Sequence, residues 1–177
     1  MVERFLAKEE VEGSSPFPRS FHSVNTRFMK KLEIVSPAFK NKRTIPQIYT
    51  CDGAGINPPL EFHNIPNETE SLVLIVDDPD APGKFWRHWI IFNIPATVTS
   101  IPQNCLNVPG IEAYSDFGMQ GYGAPCPPNG PHRYNFKLYA LDRMLSATED
   151  VSRLELDALM SSCTIEKAEL MGIYSRD

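Results

Sequence analysis

The chain has 177 residues, 42% of them apolar and 22% charged, with 17 Lys and Arg set against 22 Asp and Glu. That length and composition fit one globular domain with room for its own hydrophobic core, needing neither a disulfide scaffold nor a structural metal. The net charge of −5 and the pI near 5.4 exclude a duplex-coating protein, because phosphate neutralisation needs clustered cations and the densest basic run is only Lys40-Asn41-Lys42-Arg43. The longest apolar run, Leu72–Val76, is far short of the roughly 20 residues that span a bilayer, which excludes a transmembrane helix.

Residues Met1–Phe28 differ in character from the rest of the chain. Four glutamates balance four basic residues there, and Ser14, Ser15, Pro16, Pro18, Ser20 and Ser23 leave no period of 2 or 3.6. An N-terminal extension is expected over 1–28, disordered or loosely docked, ahead of a single domain over 29–177. Met29-Lys30-Lys31 running into Leu32–Val35 reads as a fresh chain start and first strand, so Met29 is a candidate natural start. No secretory signal is legible, and a cytoplasmic protein is expected. Cys51, Cys105, Cys126 and Cys163 are widely spaced with no C-x-x-C pair, which excludes a zinc ribbon; free thiols in a reducing compartment are the expectation.

From Met29 onward, fourteen of the sixteen prolines separate short β-rich runs, a pattern incompatible with a helical bundle. Ser71–Val76 and Trp89–Ile94 are apolar runs suited to buried strands. Arg133–Leu141 alternates, with Tyr134, Phe136, Leu138 and Ala140 on one face and Arg133, Asn135 and Lys137 on the other; Tyr139 departs from the polar set. One helix is expected over Arg153–Cys163, where Ser152-Arg153-Leu154-Glu155 forms a capping box and Leu156, Leu159, Met160 and Cys163 share a stripe. Glu166–Ile173 is a candidate final strand.

Three segments carry chemistry. Asp77-Asp78-Pro79-Asp80-Ala81-Pro82 comes directly after the Ser71–Val76 strand and places three carboxylates within four residues, where self-repulsion makes a plain turn an odd use for them; an Asx-type turn is the structural alternative. His88 lies between Trp86 and Trp89, the only two tryptophans, which suggests an aromatic wall. Gly121-Tyr122-Gly123-Ala124-Pro125-Cys126-Pro127-Pro128-Asn129-Gly130-Pro131 then makes a loop part permissive and part rigid, able to bring backbone N–H groups to a small ligand. His132 comes next, on the same parity as the apolar face of its strand, where a buried imidazole needs a partner or a ligand.

Together these motifs resemble the phosphatidylethanolamine-binding protein family in its bacterial and archaeal, Raf-kinase-inhibitor-like branch. Agreement extends to Tyr49-Thr50-Cys51-Asp52-Gly53, to Asn57-Pro58-Pro59-Leu60, and to Ala168-Glu169-Leu170 with Gly172 and Tyr174, and so covers roughly Lys31–Arg176 in order. The resemblance implies a mainly β sandwich with a large central antiparallel sheet, a smaller second sheet and one or two short helices. It also implies an anion pocket for phosphate- or phosphoethanolamine-like groups, formed here by Asp78, Asp80, Pro82, Trp86, His88, Gly123, Pro125, Cys126, Pro127, His132 and Tyr134. Asp78 or Asp80 would accept the ammonium of phosphoethanolamine, and Pro79 and Pro82 are candidates for cis peptide bonds. The implied activity is non-enzymatic binding, with no cofactor, that modulates a protein partner, a kinase by analogy; a homodimer is also implied. The alternative is a hydrolase, metal-assisted through Asp78, Asp80, His88 and His132 or dependent on Cys126 with a histidine base, acting on a small phosphorylated or acyl substrate. Two departures stand out. Ala124 occupies a position where close bacterial relatives carry Gly, and the stretch between Pro128 and His132 is shorter than in animal members.

Overall fold

Alternation and proline punctuation set out nine strands and one helix in the computed structural model, which describes residues 30–176. In chain order these are β1 (Glu33–Val35), β2 (Arg43–Thr44), a 3-10 turn (Gln47–Tyr49), β3 (Leu60–His63), β4 (Ser71–Asp78), β5 (Trp86–Pro95), β6 (Ser100–Ile101), β7 (Ile111–Glu112), β8 (His132–Leu141), α1 (Arg153–Ser161) and β9 (Thr164–Tyr174). The expected extension over 1–28 lies outside the described residues. Six strands form one sheet in the order β2-β9-β8-β4-β5-β7, and three form a second in the order β1-β3-β6. The pairs β4–β5, β4–β8 and β8–β9 are antiparallel and only the short β2 runs parallel to its neighbour. The fold is therefore the expected mainly β, two-sheet architecture. Among the described residues no helix is long and apolar enough to cross a membrane.

The large sheet is covered on both faces, so its central strands are apolar on both sides. Leu72, Leu74 and Val76 of β4 pack with Phe136 and Leu138 of β8 against Ile34, Leu60, Phe62 and Ile101 from the small sheet. On the opposite face Val73, Ile75, Ile90 and Phe92 meet Leu156 and Met160 of α1. Gly172 of β9 permits the closest approach: a Cβ there would lie 2.4 Å from Ile45 Cγ1.

Helix α1 begins at the expected Ser152 cap, whose hydroxyl accepts from the Glu155 amide at 3.2 Å. It stops at Ser161 rather than Cys163. The Ser161 and Thr164 hydroxyls bond back to the Ala158 and Met160 carbonyls, and β9 starts at once. β9 is correspondingly longer than Glu166–Ile173 and runs along nearly the whole of β8, from Leu141↔Thr164 to His132↔Tyr174.

β5 carries two bulges that decide which side chains reach which face. Near Asn93, which adopts φ 56°, the register slips so that Ile91 and Ile94 both enter the inter-sheet core, while the Asn93 amide bonds both backbone groups of Leu145. The second slip lies between Val76↔Trp89 and Asp77↔Arg87, leaving His88 as the extra residue. A bulge re-aims a side chain, and here it lets His88 and Trp89 both face the inter-sheet side.

Candidate functional site

The ends of β4, β5 and β8 meet at one edge of the large sheet, and there the three clustered carboxylates separate. Asp77 and Asp78 are consecutive strand residues and so point to opposite faces. Asp77 faces the α1 side, where Lys137 Nζ donates to it at 2.5 Å and the Asn135 amide approaches at 3.4 Å. Asp78 faces the inter-sheet side and accepts from His132 Nδ1 at 2.7 Å, with both side chains more than nine-tenths buried. Its other oxygen accepts the Asp80 backbone N–H at 2.8 Å. Asp80 turns outward to Arg133, accepting from its backbone N–H and Nε, each at 2.9 Å, and from Nη2 at 2.6 Å. That guanidinium holds the Asp80 carboxyl down to about 2. Self-repulsion is avoided because each carboxylate has its own donor.

His88 sits beside this pair. Its Nδ1 donates to the Gly123 carbonyl at 2.8 Å, and the Gly123 amide donates to the His88 carbonyl at 2.9 Å. The ring makes edge contacts with Phe117 and Tyr134, at centroid distances of 5.1 and 5.2 Å, and Phe117 in turn meets Trp86 at 5.4 Å. Burial pushes the His88 pKa down from its ordinary value, partly opposed by the bond to Gly123 and the charge of Asp78. His88 is thus neutral near pH 7, with Nδ1 protonated and Nε2 the open nitrogen. Gly123 is dictated by space: a Cβ there would lie 2.5 Å from the Phe117 ring and 2.9 Å from the His88 carbonyl oxygen.

A cavity of about 200 Å³ lies between these groups, lined by Asp78, Ala81, Pro82, Trp86, His88, Phe117, Cys126, Pro128, His132 and Tyr134. Two polar atoms of its lining residues are buried without a hydrogen-bond partner among the described residues, the Trp86 indole N–H and the Tyr134 hydroxyl. The Tyr134 ring is only 1% exposed. Its hydroxyl faces the Cys126 backbone without reaching good hydrogen-bond geometry, and burial, followed by the charge of Asp78, raises its pKa well above the usual value. Buried polar atoms are rarely left unpaired in folded proteins.

Of the residues named from sequence, Asp78, Pro82, Trp86, His88, Cys126, His132 and Tyr134 line the cavity, and Asp80, Gly123, Pro125 and Pro127 do not. Asp80 is drawn away by Arg133. Gly123 acts through its backbone on His88. Pro125 is buried and uses its carbonyl to accept the Cys51 amide at 3.0 Å, and Pro127 is buried outside the lining. Pro79 and Pro82 follow trans peptide bonds, since none of the described bonds is cis. Ala124 does not occupy the left-handed region, so its methyl group brings no backbone strain. Ala81 and Phe117 carry no clear signal in the sequence; the only hint of Phe117 is an aromatic residue in a short turn, Asp116-Phe117-Gly118.

The expectation of four free thiols fails for two of them. Cys51 and Cys126 form a disulfide across 75 residues, whereas Cys105 and Cys163 are free. The bond from the Cys51 amide to Pro125 seats the two loops side by side, and nothing in the spacing of the cysteines announces that. Each oxygen of Asp78 and of Asp80 already accepts a protein donor, so an ammonium at either carboxylate would share it with those bonds.

Comparison with known proteins decides the family. The sequence profile described as phosphatidylethanolamine-binding protein matches residues 35–175, which is most of the chain. The chain belongs to the phosphatidylethanolamine-binding protein family. It is 43% identical over 150 residues to a UPF0098 protein of Methanothermobacter thermautotrophicus, covering 82% of this chain and 99% of that one. A UPF0098 protein of Chlamydia pneumoniae is 41% identical over 150 residues, with the same coverage. Among solved structures, a phosphatidylethanolamine-binding protein homologue of Chlamydia trachomatis superposes with a TM-score of 0.80 at 41% identity, covering 83% of this chain and 99% of its own. Escherichia coli YbcL, described as a member of the mammalian family, gives 0.77 at 30% identity, covering 84% and 100%. This family member therefore shares sequence, and with the two solved structures also fold, with these four proteins over nearly their whole length.

Proposed function

We propose that this protein is a non-enzymatic binding protein whose cavity takes a phosphate-type anion. The observation that carries the reading is that His88 and His132, each held through Nδ1, line one cavity of about 200 Å³ with Nε2 unbonded among the described residues, while two further donors without partners, Trp86 Nε1 and Tyr134 OH, lie buried in its lining residues. A tetrahedral oxyanion offers acceptors in several directions at once and satisfies the donors that the protein leaves open. Neutral His88 presents a lone pair at Nε2, which accepts from a P–OH group or becomes a donor on protonation. His132, backed by the Asp78 carboxylate, is held in one orientation in the manner of carboxylate-supported ligating histidines.

A hydrolase reading has less support. Cys126 is bonded to Cys51 and offers no thiolate in the oxidised protein. Asp80 is engaged by Arg133 and stands outside the cavity, and among the described residues no group of three or more His, Cys, Asp and Glu is arranged to hold a metal ion. The ligand reading also narrows: with both aspartates engaged and Lys84 already over the Trp86 ring at 4.8 Å, the cavity favours the phosphate and offers little to an ethanolamine ammonium. In this account the protein acts by occupancy, the filled cavity presenting a changed rim to a protein partner, a kinase by analogy with animal relatives.

Intrinsic fluorescence of Trp86 and Trp89 tests the proposal. Inorganic phosphate and O-phosphoethanolamine are expected to give saturable changes with affinities within about threefold of each other. The signal is expected to vanish in a folded His132→Ala variant. A titration that is flat in the wild type, or unchanged in His132→Ala, refutes the proposal.

A further inference from the structure

The Cys51–Cys126 disulfide lies where it can govern the cavity. Both half-cystines are exposed, and Cys126 is itself a lining residue. Upstream of Cys126 the loop is pinned by several bonds: the Tyr122 hydroxyl donates to the Tyr49 carbonyl at 3.2 Å, the Gly123 amide to the His88 carbonyl at 2.9 Å, and the Cys51 amide to Pro125 at 3.0 Å. Downstream, among the described residues, no hydrogen bond holds 127–131 before His132 enters β8. Three of those five residues are prolines without an N–H to donate, and Pro128, which belongs to this stretch, is also part of the cavity wall. Apart from the burial of Pro127, the S–S bond is therefore the last covalent or hydrogen-bonded tie on this side of the cavity before β8.

We propose that the Cys51–Cys126 disulfide is a thiol-exchange site that latches the cavity wall, so that a dithiol reductant loosens residues 126–131 and weakens anion binding. The second half of this inference rests on the anion reading above. In the exchange, a thiolate of the reductant attacks one sulfur of the pair, forming a mixed disulfide and releasing the other cysteine as a thiolate that takes up a proton. The second thiol of the reductant then attacks the mixed disulfide, so that the reductant leaves as its own disulfide and the second cysteine is freed as a thiol. Two electrons and two protons pass from the dithiol to the protein. Exposed disulfides are the ones open to such attack, whereas buried ones are shielded. Cys163 is buried and Cys105 only partly exposed, and neither touches the cavity.

The test compares three samples: the oxidised protein, the same protein treated with dithiothreitol without denaturant and then alkylated, and a Cys51→Ala/Cys126→Ala variant. The alkylated wild type keeps the inference falsifiable should the variant fail to fold. Alkylated thiols are expected to rise by two on native reduction, as Cys51 and Cys126 join those that already react in the oxidised protein. Backbone 15N order parameters at Cys126, Asn129 and Gly130 are expected to fall from about 0.85 to below about 0.6, and the Kd for inorganic phosphate to weaken by about tenfold. A thiol count that does not rise, or equal order parameters and equal Kd across the samples, overturns the inference. If the oxidised protein binds no phosphate, the anion reading fails by itself. Unchanged order parameters on reduction then overturn the latch, and lowered ones sustain it.

Discussion

The hydroxyl of Tyr134 is one of five buried side-chain atoms without a hydrogen-bond partner among the described residues, and removing it separates the binding account from a purely structural one. The ring is 1% exposed within the inter-sheet core and edge-on to His88 at 5.2 Å, yet its oxygen has no hydrogen-bond partner among the described residues. A buried hydroxyl without a partner costs roughly 1–3 kcal/mol relative to water, and Tyr134→Phe keeps the ring while removing that cost. A small void offsets part of the gain, so the ligand-free variant is expected to be more stable by about 1 kcal/mol, which for a chain of this length raises Tm by about 2–4 °C. Binding moves the other way. A hydrogen bond to a charged group contributes about 1.5–3 kcal/mol, and phosphate affinity is expected to fall roughly tenfold to a hundredfold. Urea unfolding of the ligand-free proteins and calorimetric titration with phosphate measure the two effects. A variant destabilised by about 1 kcal/mol or more, with unchanged affinity, refutes the reasoning, since it means that the hydroxyl is bonded within the protein, for example to the Cys126 backbone.

The same geometry yields three further outcomes. Asp78→Ala strands a buried imidazole and the Asp80 amide together, and is expected to cost about 3–5 kcal/mol in urea unfolding; a loss below about 1 kcal/mol contradicts the pairing. Gly123→Ala drives a methyl group into Phe117 and the His88 carbonyl, and because the carbonyl cannot swing away, a loss of about 1–3 kcal/mol is expected with a weakened phosphate signal, against no effect if the loop shifts freely. His88 sets the pH behaviour. Its folded pKa lies below the unfolded value of about 6.5, so the unfolded chain binds more protons and the stability contributed by neutral His88 is lost as pH falls from that value towards the folded pKa. An oxyanion reverses the preference by favouring the protonated ring. Affinity for sulfate, whose own charge does not change over this range, is expected to rise as pH falls from about 7.5 to about 5.5, by up to about tenfold per unit, and a flat profile contradicts proton-linked binding at His88.

Much of the frame is legible in the sequence because burial leaves a strong period. Tyr134, Phe136, Leu138 and Ala140 alternate and all face the inter-sheet core, and the Ser152–Glu155 capping box marks the start of α1 to the residue. The site is legible only where a residue's role is fixed by its place on a strand. His132 stands out as a polar ring on apolar parity, and its partner is Asp78. The carboxylate cluster misleads because the apolar run ends at Val76 while β4 does not; extended to Asp78, the same alternation assigns Asp77 and Asp78 to opposite faces and leaves Asp80 to the loop. Non-local events leave no trace in the pattern. The bulge at His88 depends on how β5 registers against β4, the disulfide on two loops meeting across 75 residues, and the role of Phe117 on the absence of a side chain at Gly123.

Long-range 1H–15N spectra of 15N-histidine-labelled protein, recorded with and without inorganic phosphate, show whether an anion meets the imidazoles of the cavity. They report on the ring nitrogens that the account assigns to the anion. Phosphate is expected to shift the Nε2 signals of His88 and His132 saturably and to leave His63, exposed on the small sheet beside Glu61, unmoved. Stationary His88 and His132 signals at phosphate concentrations that saturate the fluorescence change, or shifts shared equally by His63, contradict an anion site in this cavity.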